Sequence, residues 1–358
     1  MEKFKILVIN PGSTSTKIGV FINNRAIYLK TISHSANELN KYKTIIDQFN
    51  YRKKSIISEL EKGKINIRLI KAIIGRGGLI KPIESGIYEI NNTLLKDLKN
   101  PGMGEHASNL GGLLAKYFSQ LIPYSRAFIA DPVVVDELID VARISGHPEF
   151  KRISIFHALN HKAVARRYAS MVNKDYNSLN IIIAHMGGGI SVGAHKKGKV
   201  VDVNQALDGE GPFSPERSGT LPIGDIIKYC FSGIKNKQEI MKMINGAGGF
   251  VAYLGTNNGY EVERLVQQGD EKATLILKAM AYQVSKSIGS MACVLNGKID
   301  AIILTGGLAY NKILIEWIKK KISFLSDIIV YPGGDEMNAL ATNVYMVLKG
   351  EIKPKIYT

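Results

Sequence analysis

Short apolar runs punctuate this chain, and most of them stop at glycine or at a polar turn. Ile6–Ile9 is four apolar residues, three of them β-branched, followed by Asn10-Pro11-Gly12-Ser13. Such a run predicts a buried strand entering a turn. Thr14–Phe21 then reads as a returning strand, Asn23-Asn24 as a second turn and Arg25–Ser33 as a third strand. The chain is thus predicted to open as an antiparallel meander and not as a strand-to-helix unit. Residues 35–62 are polar and helix-like. Leu69–Ile74 is another buried strand, ending in Gly75-Arg76-Gly77-Gly78, which reads as a tight turn. Helical spacing returns at Glu105–Ile122. Ala127–Ala130 is a strand that ends at Asp131-Pro132, with helices predicted next at Val133–Ile144 and His157–Met171.

Leu179–Ala184 begins a second meander. It runs through Gly187-Gly188-Gly189 into Ile190–His195, and through Lys196–Lys199 into Val200–Asn204. Its start shares with the first an apolar strand, a glycine-bearing turn and a hydroxyl residue, which reads as an internal duplication. Helical patterns occupy much of 224–297, broken at Gly246–Gly249 and Gly255–Gly259. Strands are predicted at Ile299–Leu304 and Ile328–Tyr331, and a helix at Asn338–Lys349.

Composition narrows the class. The 358 residues suffice for about two domains, and 45% apolar with 22% charged residues excludes a disordered or fibrous chain. Cys230 and Cys293 form no metal-binding spacing and read as buried small hydrophobes in a reducing cytosol. No signal peptide or membrane span is recognised, so a soluble cytoplasmic protein is expected. The net charge is +16. The densest basic clusters, Arg52-Lys53-Lys54, Lys196–Lys199 and Lys319–Lys321, are short and lack interleaved aromatics. They read as solvated surface, not as a nucleic-acid footprint. A bias toward anionic small substrates is compatible with the charge.

Four strands end in glycine-rich or acidic turns, where ligands of α/β sheets collect. Ser13, Ser15 and Lys17 are spaced by two, which places two hydroxyls and an ammonium on one face of an extended strand. This is not a Walker A loop, since its glycine-lysine spacing and following helix are missing. Gly187–Gly189 removes three consecutive side chains, which suits either a close backbone approach to a ligand or a bulge. Asp131 and Glu336 follow apolar strands, where carboxylates can hold the Mg²⁺ of a nucleotide through few protein ligands and several waters. Arg76 and Arg217 lie among glycines, a setting for bidentate binding of carboxylate or phosphate. His157 and His161 are four apart on a predicted helix face, without a third ligand or the acid of a zinc motif.

Taken in order, Val8–Lys17, Phe156–Lys162, Ala184–Gly189, Glu216–Gly219 and Leu304–Ala309 resemble the acetate kinase family over nearly the whole chain. Gly75–Pro82 and Glu210–Arg217 look like the butyrate kinase branch of that family. The resemblance implies an α/β fold of two actin-like ATPase (ribonuclease H-like) domains, each a mixed five-stranded sheet flanked by helices, with a nucleotide cleft between them. The domains expected are 1–135 with 338–358, and 136–337.

The resemblance also implies roles. Asn10, Ser13, Ser15 and Lys17 match the first phosphate loop; His185 with Gly187, Gly188 and Gly189 matches the second. Gly306 and Gly307, with Asn311 beyond them, match the adenosine motif. Asp131 matches the essential aspartate near the metal, and Glu336 the Mg²⁺ glutamate. His157 and Arg217 match residues that contact the transferring phosphoryl group, and Arg76 is expected to orient the acyl carboxylate. Departures exist: the family's substrate arginine falls on Ile73, Gly188 replaces an asparagine, and a histidine near the substrate falls on or beside Lys99. Ile73, Ile74 and the bare Gly75 are expected to leave apolar room for a longer acyl tail.

The implied reaction is ATP plus butanoate giving ADP plus butanoyl phosphate, with Mg²⁺ accompanying ATP and ADP. A kinase for acetate, propionate or a branched short acid is the alternative from the same fold. A non-catalytic, ATP-switched actin- or Hsp70-like module is the alternative of another class. Neither nucleic acid nor membrane is an expected partner, and a homo-oligomer, dimer or larger, is the expected assembly.

Overall fold

In the computed structural model, which describes residues 3–358, the predicted opening meander is present. Strands β1 (Lys5–Pro11), β2 (Ser15–Ile22) and β3 (Arg25–Ser33) pair antiparallel. The helices α1 (Ala36–Leu39) and α2 (Phe49–Lys62) follow. Next come β4 (Ile70–Arg76), β5 (Ile87–Glu89), α3 (Asn92–Lys99), α4 (Asn109–Gln120) and β6 (Arg126–Ala130). β4 lies parallel to β1 and β6 parallel to β4, giving the order β3-β2-β1-β4-β6-β5. This sheet has six strands, one more than expected, because the three residues of β5 pair antiparallel with β6. Neither β5 nor α3 was among the expected elements, although α3 carries Leu94 and Leu98 on one buried face behind an Asn91 cap.

The second unit begins at Asp136. It contains α5 (Asp140–Arg143), α6 (Ala158–Met171), β7 (Asn180–Met186), β8 (Ile190–Lys196) and β9 (Lys199–Val203). The helices α7 (Ile223–Cys230), α8 (Lys237–Ile244), α9 (Gly249–Leu254), α10 (Gly259–Gln267) and α11 (Glu271–Val294) come next. Then follow β10 (Ala301–Gly306), α12 (Lys312–Ile322) and β11 (Ile328–Pro332). The five strands run β11-β10-β7-β8-β9, an antiparallel meander flanked by parallel strands. Read from the meander side, both sheets have the same strand order apart from β5, so the duplication is one of topology. The last helix, α13 (Glu336–Leu348), returns to the first unit, which comprises residues up to Val135 with Asp335–Thr358, and packs on β1 and β4.

β1, β4, β7 and β10 are buried on both faces, as continuous Ile/Leu/Val runs require of interior parallel strands. In the first unit one core joins its strands to α2, α3 and α4. In the second unit one core lies toward α11 and α12 and another toward α6. Among the described residues no helix is long and apolar enough to cross a membrane.

Three expectations are corrected. Val133–Ile144 is mostly irregular, with one helical turn at Asp140–Arg143. The buried β-branched Val134 and Val135 favour extended backbone there, and Val135 bridges Ile83. Gly75 and Arg76 are the end of β4, not a turn. Gly75 faces α4, where an added Cβ would strike the Gly111 backbone, and Ile73 and Ile74 are fully buried. The missing side chain therefore serves strand–helix packing and leaves no acyl room at that point. Finally, Cys230 and Cys293 are exposed, each on a helix face turned to solvent.

Candidate functional site

The first unit gathers polar groups at the carboxyl ends of β1, β4 and β6. Register places Ile9 beside Gly75, and Arg76 beside Ala130, so Asn10, Arg76 and Asp131 end neighbouring strands. Glu336, in the first turn of α13, joins them. Its Oε2 accepts from Asn10 Nδ2 at 2.7 Å and from Arg76 NH1 at 3.1 Å. Asp131 is buried, and its Oδ1 accepts from Ser85 Oγ at 2.7 Å and the Gly86 N–H at 2.8 Å. Its φ of 39° lies in the left-handed region, at a cost of about 1–2 kcal/mol for a residue with a side chain. Strain of this kind concentrates at functional positions.

The first loop differs in one detail from the expectation. Ser15 and Lys17 share a face of β2, with Thr16 buried on the other, but Ser13 precedes the strand and sits exposed in the turn. The loop is held from below by Arg52, which the sequence placed on a solvated surface. Arg52 is fully buried. Its NH1 donates to Gly12 O (2.9 Å), Ser15 O (3.0 Å) and Thr16 Oγ1 (3.0 Å), and its NH2 to Ser13 O (3.1 Å). Nothing local distinguishes Arg52 from Lys53 and Lys54; only its helical phase with Ile56 and Leu60 hints at an inward position.

Thr16 Oγ1 also meets His34 Nε2 at 2.8 Å, and His34 Nδ1 lies 3.1 Å from Tyr51 OH. Burial, reinforced by Arg52, pulls the His34 pKa from 6.5 down to about 4. The unfolded chain therefore takes up this proton at higher pH than the folded protein does. Stability from this site is complete above pH 6.5 and is lost as pH falls toward 4. The expected loss is about 3 kcal/mol across that window. Urea unfolding at stepped pH checks it, with His34→Gln flattening the slope; an equally steep slope in that variant would acquit His34.

The second unit gathers the remaining candidates. His185 ends β7 and its Nδ1 lies 2.7 Å from Asn160 Oδ1. His157 caps α6 and stacks on His185, with centroids 3.9 Å apart and planes 15° apart. His157 and His161 converge on the Ser191 hydroxyl. Gly187 N–H donates to Gly189 O at 2.9 Å, closing the glycine turn. Arg217 lies over this turn: a Cβ on Gly189 would collide with its guanidinium. NH1 of Arg217 donates to Ala206 O, Nε is buried without a hydrogen-bond partner, and burial lowers the guanidinium pKa.

A cavity of about 660 Å³ opens beside the turn, lined by Gly187, Gly188, Pro215, Gly307, Leu308 and Asn311 among others. That volume suits a nucleoside. Gly306 has φ 92° and no space for a Cβ against the Met186 backbone, so β10 and β7 end in close contact. Asn311 caps α12 through Oδ1, which accepts from the Leu314 N–H at 2.8 Å. Among the described residues no three His, Cys, Asp or Glu side chains cluster as a metal cage. Two carboxylates, Asp131 and Glu336, suit a cation that keeps water and phosphate ligands.

Butyrate kinase 2 of Clostridium acetobutylicum is 57% identical to this chain over 355 residues, 99% of each protein. The acetokinase family model matches residues 150–326. The chain belongs to the acetokinase family. Acetate kinase of Porphyromonas gingivalis superposes with a TM-score of 0.78, over 96% of this chain and 100% of that one, at 20% identity. A propionate kinase of Francisella tularensis gives 0.76, over 95% and 98%, at 20% identity. These two establish the fold, the two-domain α/β architecture of acetokinases.

Proposed function

We propose that this acetokinase transfers the γ-phosphoryl group of ATP reversibly to butyrate, giving ADP and butanoyl phosphate. The observation that carries it is the 57% identity to Butyrate kinase 2 along the full length of both chains. The acid is already a carboxylate. One of its oxygens forms the new O–P bond while the bond from phosphorus to the β–γ bridging oxygen breaks and its electrons leave with ADP. No general base is needed, so catalysis rests on alignment and charge neutralisation.

Ser13, Ser15, Lys17 and the glycine turn at Gly187–Gly189 bind nucleotide phosphates in this reading. The cavity beside Gly307 takes the adenosine. Arg217, His157 and His185 meet the equatorial oxygens of the transferring group. Asp131 and Glu336 would hold Mg²⁺, which supplies charge neutralisation of the phosphates when bound. Arg76, engaged with Glu336, orients that carboxylate and shares its guanidinium with the acyl carboxylate.

The test is trapping of acyl phosphate by hydroxylamine, with MgATP and acetate, propionate, butyrate or isobutyrate. Butyrate is expected to exceed acetate in kcat/KM by about 100-fold, since one methylene in an apolar pocket is worth about tenfold. Acetate as the best acid would move the substrate within the family. ATP hydrolysis without hydroxamate from any acid would overturn the kinase reading in favour of an ATP-switched module.

A further inference from the structure

Behind His157 runs a buried line of hydrogen bonds that reaches well away from the phosphate loops. His157 Nδ1 is 2.9 Å from Ser191 Oγ, and the same hydroxyl is 2.9 Å from His161 Nε2. His161 Nδ1 is 3.1 Å from His195 Nε2, and His195 Nδ1 is 2.7 Å from Tyr176 OH. His161, Ser191 and His195 are wholly buried, and Tyr176 nearly so. Ser191 and His195 share a face of β8. Between them Gly193 leaves space for His161, whose Cε1 would lie 3.4 Å from an added Cβ.

Each group in this line is a single-proton link. Burial, first, holds His161 and His195 neutral, their pKa values pushed well below 6.5. The Lys162 ammonium beside both rings acts in the same direction. Lys162 is itself fixed beside the line by Glu137 Oε2 at 2.6 Å and Gly198 O at 2.8 Å. A neutral imidazole donates from one nitrogen and accepts at the other. The two imidazoles must therefore both pass their protons the same way, from Tyr176 toward Ser191 or the reverse.

Two features choose the direction. A phenol is a stronger donor than acceptor toward imidazole, so Tyr176 donates to His195 Nδ1. With His161 donating to it, the buried Ser191 hydroxyl must place its own proton on an acceptor, and His157 Nδ1 lies within reach at 2.9 Å. His195 then donates from Nε2 to His161, His161 from Nε2 to Ser191, and Ser191 from its hydroxyl to His157 Nδ1.

We propose that Tyr176, His195, His161 and Ser191 are positioning residues that lock His157 as its Nε2–H tautomer, with that N–H presented to the transferring phosphoryl group. The proposal rests on the placement of His157 under Proposed function. The opposite tautomer would turn a nitrogen lone pair toward an anionic oxygen, so the relay decides whether His157 attracts or repels the group in flight.

The test begins with the wild-type protein, free of substrate and labelled with ¹⁵N-histidine. Long-range ¹H–¹⁵N correlation spectra at neutral pH are expected to show His157, His161 and His195 all protonated on Nε2. A proton on Nδ1 of any of the three overturns the proposal, and this reading needs no variant to fold. Ser191→Ala is expected to abolish the single tautomer of His157 and lower kcat by about 10- to 100-fold. KM for ATP stays unchanged, the pattern of an interaction made only in the transition state. Tyr176→Phe keeps the ring and removes only the hydroxyl at the far end of the line, yet is expected to disturb the His157 tautomer and lower kcat by a smaller factor. An unaltered His157 spectrum in Tyr176→Phe overturns the relay. A disturbed tautomer with full kcat in both variants overturns instead the placement of His157 at the phosphoryl group.

Discussion

Arg217→Ala is expected to lower kcat for hydroxamate formation about a thousandfold, since an arginine that neutralises a phosphoryl group in flight is worth about 10³–10⁵. The geometry behind this is specific. The guanidinium sits over Gly189, the one place in the second loop where any Cβ would displace it. One nitrogen is anchored on Ala206 O, and Nε is buried without a partner in the protein. Leaving such a donor unpaired costs about 1–3 kcal/mol, a cost that an anionic ligand removes. That unpaired donor supports the proposed contact of Arg217 with an anion. Arg217→Lys is expected to fail as well, because a point charge cannot reproduce a planar fork. Gly189→Ala provides a second line of evidence: it leaves the arginine in the chain, yet is expected to depress kcat by pushing it aside. An Arg217→Ala enzyme that keeps a tenth of wild-type kcat would remove Arg217 from the transferring group.

Arg52→Met is expected to destabilise the protein by about 3–5 kcal/mol, the usual cost of breaking a buried charged network. It is also expected to raise KM for ATP. Arg52 satisfies three loop carbonyls, those of Gly12, Ser13 and Ser15, together with Thr16 Oγ1 and Gln48 Oε1. Burial lowers its pKa only to about 10, so it stays charged at neutral pH. Methionine fills the volume and restores none of these bonds, and the loop loses the support that preorganises Ser13 and Ser15. Thermal unfolding and the ATP dependence of hydroxamate formation measure the two effects. Wild-type stability and KM in this variant would show that the loop holds its own shape.

The strands and the loops at their ends were legible because their signals are local. The runs Ile6–Ile9, Ile181–Ile183 and Ile302–Leu304 are too apolar and too β-branched to be anything but buried strands, and Gly12, Gly187–Gly189 and Gly306 mark where each chain must turn. The ordered motifs then placed Asn10, Lys17, His157, His185 and Arg217 as candidates, and Asp131 and Glu336 stood out as acids following apolar strands. The three residues of β5 escaped because so short a strand carries no period, and the helix expected at Val133–Ile144 failed because its apolar spacing is shared by buried irregular chain.

By itself, then, the sequence determined the two α/β halves, the places where ligand loops begin, and the chemical kinds of side chain available there. Only the tertiary structure decided which of those side chains meet. Glu336 reaches Asn10 across 326 residues of chain and Arg76 across 260. Arg52 lies 36 to 40 residues from the loop atoms it holds, and Ser191 joins two histidines that are 30 and 34 residues away. Gly75 looked like spare volume until α4 was seen to fill it. Periodicity reports which way a side chain points along its own element; what lies opposite it is set by strand order and by the packing of helices on the sheet.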